Sequence, residues 1–202
     1  AGCLAKNQLR YRYYEGKNRL KDFGISTPPE LLRVETVVDW PNKAVSALAD
    51  RVRFDGFSSP DDEVQGILDE VSRRSRLATK TRQSIHSELI YGPAFATVGM
   101  TQYGPRIEFH SAECASAVWD DAQGRIAYGL VIDAFENGAP AYMRLLTDDA
   151  QVTLWLDGVS WQWQIKPIGM GRPPMERFVY RPTDKHPFGQ SRISRAVMSI
   201  TD

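Results

Sequence analysis

Ile85-His86-Ser87-Glu88-Leu89-Ile90-Tyr91-Gly92-Pro93-Ala94-Phe95-Ala96-Thr97 is where the chain changes its period. Before it, Leu77, Thr81, Ile85 and Leu89 recur every four residues, which predicts a helix over about 75–91. Gly92-Pro93 ends that helix, because proline has no N–H to continue the ladder and glycine accepts the conformations found past a helix end. Beyond it, apolar residues fall into short, turn-punctuated runs of a β-rich body.

Working back toward the N-terminus, Pro60-Asp61-Asp62-Glu63 opens a second helix, expected over 63–72, with acids where the helix dipole favours them. Val64, Ile67, Leu68 and Val71 give it one apolar face. Asp39-Trp40-Pro41 starts another, expected over 41–52, with Ala44, Val45, Leu48 and Val52 at helical spacing and Asp55-Gly56 closing it. Residues 4–20 set Leu4, Leu9, Tyr13 and Leu20 among many cations and read as a short helix. The loop from Phe23 to Pro29 follows, broken by two prolines.

Toward the C-terminus, strands are expected at 94–99, 106–110, 115–119, 126–133, 141–147, 151–156, 160–166 and 176–181. Glu136-Asn137-Gly138 and Asp157-Gly158 are hairpin turns. Val152, Leu154 and Leu156 alternate with Gln151, Thr153 and Trp155, and Trp161, Trp163 and Ile165 repeat the alternation, so 151–166 reads as one hairpin with a half-buried face. After an irregular link at 167–175, Gly189-Gln190-Ser191 precedes the stripe Ile193, Ala196, Val197 and Ile200. That stripe is still in phase at Asp202, so the native chain is expected to continue. The fold class is α+β, with N-terminal helices packed on a mixed, mostly antiparallel body. Residues 1–93 form the helical part, 94–182 the β-rich part and 183–202 the start of a final helix.

Composition narrows the function. Lys+Arg and Asp+Glu are both 25, which gives no overall basic excess of the kind phosphate binding requires. No apolar run approaches the ~20 residues that span a bilayer. Two cysteines, Cys3 and Cys114, lie far apart in no metal-ligand spacing. His86 and Glu88 form half of a zinc-deaminase signature whose P-C-x-x-C partner is missing. Gly169-Met170-Gly171-Arg172-Pro173-Pro174 lacks the Lys-Ser/Thr of a phosphate loop, and its prolines remove backbone donors. Asp120-Asp121 and Asp148-Asp149 sit at turns, where aspartate serves local hydrogen bonds. No catalytic, cofactor or metal residue is therefore assigned, and a hydrolase using these acids with His110 is the weakest alternative. The candidate contact residues are the basic run Arg73, Arg74, Arg76, Lys80 and Arg82, for subunits or nucleic acid, and Trp155, Trp161 and Trp163, for subunit packing or base stacking.

Four segments, in order, carry a resemblance. Tyr14-Glu15-Gly16-Lys17-Asn18-Arg19-Leu20 is similar to the YYxGxxxL opening of phage portal proteins. Val38-Asp39-Trp40-Pro41-Asn42-Lys43-Ala44-Val45, followed by Leu48-Ala49-Asp50-Arg51-Val52 and Asp55-Gly56-Phe57, resembles that family's early V-N-W-P helix. His86 to Phe95 resembles its step from helix into sheet, and Phe188-Gly189-Gln190-Ser191-Arg192-Ile193 its x-G-x-S-x-I start of the helix leading to the channel. The likeness spans nearly the whole chain and is nearest to portals of long-tailed phages and prophages.

The resemblance implies a dodecameric ring at one capsid vertex, made in the bacterial host cytoplasm and built into the virion. It implies DNA passing through the channel, with terminase, capsid and head–tail connector proteins as partners, and no cofactor, no membrane and no catalysis. The segment would be the wing, with the stem, clip and crown expected after Asp202 and a monomer or weak oligomer expected without them.

Overall fold

The computed structural model describes residues 2–16 and 39–194. The helices come first: α1 (Gly2–Tyr14), α2 (Trp40–Ala49), α3 (Asp62–Ser75) and α4 (Leu77–Tyr91). The strands follow: β1 (Pro93–Thr101), β2 (Gly104–Ser111), β3 (Ala115–Asp120), β4 (Arg125–Glu136), β5 (Ala139–Leu146), β6 (Ala150–Asp157), β7 (Ser160–Pro167) and β8 (Met175–Val179). Each expected strand is present within a few residues, and the architecture is α+β. Two sheets form, ordered β2-β1-β8 and β3-β4-β5-β6-β7, and every pairing in them is antiparallel.

The register explains the layers. Paired residues in an antiparallel ladder share a face. Phe95 and Met175 lie on one face of the three-stranded sheet and pack with Ala115, Ile126, Val131 and Leu146 of the five-stranded sheet. A Cβ built on Gly129 would collide with the Met175 Sδ, so β4 has no side chain where β8 presses closest. The Arg177 guanidinium lies 3.6 Å over the Trp119 ring and pins β8 to β3 by a cation–π contact. The remaining face of the three-stranded sheet is left to α4, which touches β1, β2 and β8. The helices have their own core, in which Tyr13, Val45, Ala49, Ile85, Leu89 and Tyr91 pack together with Ile193.

The end of α4 joins the parts. A helix leaves its last carbonyls without partners inside the helix, and here distant segments supply donors. Arg192 N–H donates to the Leu89 carbonyl at 2.8 Å, and the Ser191 hydroxyl lies against the carbonyls of Leu89 and Ile90. The Arg10 guanidinium of α1 reaches the Tyr91 carbonyl, and Gly92 N–H returns to Glu88 at 2.8 Å. Ser191 also accepts from Ile193 N–H at 3.0 Å, so one hydroxyl serves both chain segments. Gly189 brings them together: its φ is +67°, and a Cβ there would lie 2.7 Å from the Tyr180 carbonyl oxygen.

Several expectations shift. The stripe at Ala196, Val197 and Ile200, residues 17–20 of the first helix and the loop at Phe23–Pro29 lie outside the described residues. α2 stops at Ala49, so Val52 falls beyond the helix and is exposed instead of joining its apolar face. α3 runs on to Ser75, and only Arg76 separates it from α4, in a left-handed conformation (φ 52°) without the usual glycine. The stripe on α3 is only partly used, because Val64 and Ile67 stay exposed. β7 is exposed along its whole length, so the hairpin is not half-buried as its alternation suggested.

Two substitutions test the junction at α4. Ser191→Ala is expected to cost about 1–2 kcal/mol by stranding helix-end carbonyls. Gly189→Ala should cost more, on the order of 2–3 kcal/mol, because it adds both left-handed strain and a backbone clash. Urea unfolding of each variant against the parent reads both, and a Gly189→Ala protein as stable as the parent would contradict the geometry.

Candidate assembly surface

The five-stranded sheet has a second face. Val131 and Leu146 point toward the three-stranded sheet, and their partners Ala115, Arg144 and Gly129 share that side. The alternate positions therefore point away: Val118 from β3, Tyr128, Leu130 and Ile132 from β4, Met143 and Leu145 from β5, Val152, Leu154 and Leu156 from β6, and Trp161, Trp163 and Ile165 from β7. None of these side chains carries a charge; Ser116 also lies on this face, and the charged pair Asp120 and Arg125 stands only at its edge, at the strand ends. Val118, Tyr128, Trp161, Trp163 and Ile165 are each exposed by 45% or more. An apolar surface this continuous is unusual on a protein that functions alone.

This arrangement divides the predicted tryptophans. Trp161 and Trp163 stand on the outer face opposite Leu156 and Leu154. Trp155 pairs with Gln162 and Tyr142 and belongs to the inner side, beyond the part that the three-stranded sheet covers. The rest of the outer face was missed in the sequence, although a signal was present. β4 reads Ile126-Ala127-Tyr128-Gly129-Leu130-Val131-Ile132, apolar at every position, which is the pattern of a strand covered on both sides.

The basic run is largely engaged by nearby acids. Arg73 and Arg74 both pair with Glu70, at 2.5 and 2.8 Å, and Arg74 also donates to the Tyr103 carbonyl. Arg82 pairs with Asp50 at 2.5 Å across to the end of α2. Arg76 forms the left-handed junction, and Lys80 is exposed on α4. The two guanidiniums hold the Glu70 carboxyl below its ordinary range. Pairs this exposed contribute little stability, but they offset the positive field that a phosphate backbone would need.

The imagined hydrolytic groups stay apart in function. The Asp120 carboxylate accepts from Ala122 and Gln123 N–H in its own turn, and Asp148 pairs with Arg125 at 2.9 Å. His110 makes a 2.9 Å hydrogen bond with the buried Thr97 hydroxyl. Burial first, and then the neighbouring Arg144, hold its imidazole below the usual value, so it is neutral at pH 7. Arg144 belongs to a bridge between the sheets. It grips Asp133 with two hydrogen bonds of 2.7 Å and reaches Glu108 of β2 at 3.1 Å. A bulge in β4 between Ile132 and Ala134 brings Asp133 into that position. The surface hollow around Asp50, Phe54 and Ile85 and the one around Tyr142, Trp155 and Gln164 contain none of His110, Asp120 and Asp148. Among the described residues, no group of three histidine, cysteine or acidic side chains could hold a metal ion, and no helix is long and apolar enough to cross a membrane.

Glu88 gives a pH test of α4, on the far side of the three-stranded sheet. Burial pushes its carboxyl up to about 7 from 4.5. Because the unfolded chain ionises first, stability falls as pH rises between those values, and the cost is complete above the upper one. Glu88→Gln should therefore stabilise the protein at pH 8 by about 1–2 kcal/mol, allowing for its residual contact with water. It should give no gain at about pH 4, as read by urea titration at both pH values.

Comparison with known proteins gives one family. The sequence model described as phage portal protein, SPP1 Gp6-like, matches residues 4–186. No curated protein matches the chain.

Proposed function

This chain belongs to the SPP1 Gp6-like phage portal family, and from that membership we propose that it forms part of the wall of a homo-oligomeric ring through which DNA enters and leaves the capsid. The family makes it a structural component of the virion that serves DNA packaging and head–tail connection. The finer reading is that the layered body described above is the ring's wing. Terminase would dock on the assembled ring during packaging, and connector proteins afterwards. Synthesis would take place in the host cytoplasm, before the ring is built into the capsid vertex.

One observation supports the reading beyond family membership: the largely apolar outer face of the five-stranded sheet. A wall segment works through its sides, and this side has the character of an interface core, with aromatic residues enriched and charges depleted. The Arg144 bridge and the Arg177–Trp119 contact hold the two sheets together behind it. A conduit for DNA also needs no net basic charge, because DNA must slide through it, and the chain's formal charge of zero is consistent with that.

The test is assembly and packaging at native length. The parent protein is expected to form closed rings, visible by negative-stain microscopy. The double variant Trp161→Ser/Trp163→Ser should keep its far-UV circular dichroism but weaken association by about 30-fold or more, as expected when two aromatic anchors are lost. Phage carrying only the variant should accumulate heads without DNA. Normal packaging without any functional copy of this protein would overturn the proposal.

A further inference from the structure

We propose that the outer face of the five-stranded sheet is covered by α3 of a neighbouring copy of this chain, in a head-to-tail contact. This rests on the portal reading above and names the surfaces that the ring contact would use.

Area is the first argument. Tyr128, Trp161 and Trp163 are exposed by 54%, 45% and 65%. Aromatic side chains carry about 150–250 Å² each, so these three together leave roughly 250–400 Å² of surface in water. That is comparable to the largest apolar patch of a typical monomer, about 300–600 Å². The aliphatic side chains between them extend it toward the roughly 800 Å² per partner that a stable protein–protein interface buries.

The second argument is a matching surface elsewhere on the molecule. Val64 and Ile67 stand three residues apart on α3 and are 44% and 55% exposed. Beside them Phe57 is held to the same helix, because the Gln65 side chain donates to its carbonyl and accepts from Ser59 N–H. A helix whose apolar stripe is half uncovered can complete it by lying on a sheet, the commonest way of burying both. One copy cannot do this with itself. Its α3 packs on α4 and β2, in the helical layer, while the open sheet face points away from the three-stranded sheet.

Symmetry is the third. Two different surfaces in different layers of one subunit make a heterologous contact, the kind that closes into a ring when its rotation divides a full turn. A contact of the sheet face with its own equivalent would stop at two copies.

The experiment is mixed-cysteine cross-linking in the native-length protein, with Cys3→Ser and Cys114→Ser as background. One population carries Trp163→Cys and the other Ile67→Cys, both at exposed positions. After oxidation, the mixture should give a covalent dimer at least tenfold above either population alone. A chain bearing both substitutions should give a ladder of higher multimers. Ile67→Asp should abolish rings while leaving the circular dichroism unchanged. Self-dimers of Trp163→Cys alone would show face-to-face pairing and overturn the proposal. So would capture of Trp163→Cys by a capsid or connector protein, or intact rings that never cross-link in the mixture. In those cases the portal reading survives. A protein that never assembles removes both.

Discussion

The structure depends on how the last carbonyls of α4 find their donors. A buried carbonyl without a partner costs about 1–3 kcal/mol, and α4 ends between the helical core and the first strand, where water cannot serve every one. Arg10 from the first helix and Ser191 and Arg192 from the far end of the chain meet that need. The same contacts carry Ile193 into the helical core beside Val45 and Leu89. Removing them would strand the end of α4 and loosen the seam between the helical core and the three-stranded sheet, which α4 also touches directly.

Much of this fold was readable from the sequence because the period of the apolar residues changes at Gly92-Pro93. Alternation, with turn chemistry at Asn137-Gly138 and Asp157-Gly158, located the strands well. The division into two sheets was not readable, since nothing local in β1, β2 and β8 says that they pair with one another. The left-handed Arg76 was also hidden, because no glycine or asparagine marks it. Val52 was misplaced because helical spacing continues past the point where the backbone turns away.

The candidate surface was legible only in part. Trp161 and Trp163 stood out as an aromatic hairpin, whereas Trp155 was grouped with them although alternation places it on the opposite face. Leu130, Ile132, Met143 and Leu145 carry no mark in the sequence, and only the pairing register places them on the face opposite Val131 and Leu146. The basic run misled for the opposite reason. Its partners Glu70 and Asp50 are supplied by helix geometry and tertiary packing, which a charge count along the sequence cannot show.

The bond from Arg192 to Leu89 also sets a timetable for the newborn chain. Roughly a hundred residues separate its two ends, so a ribosome adding about 5–20 residues per second needs some 5 to 20 s to supply the second after the first. During that interval the N-terminal helices and early strands exist without their fastening. The end of α4 therefore stays unfastened until Arg192 has emerged, and the whole five-stranded sheet, encoded between the two ends of that bond, is synthesised before it can form.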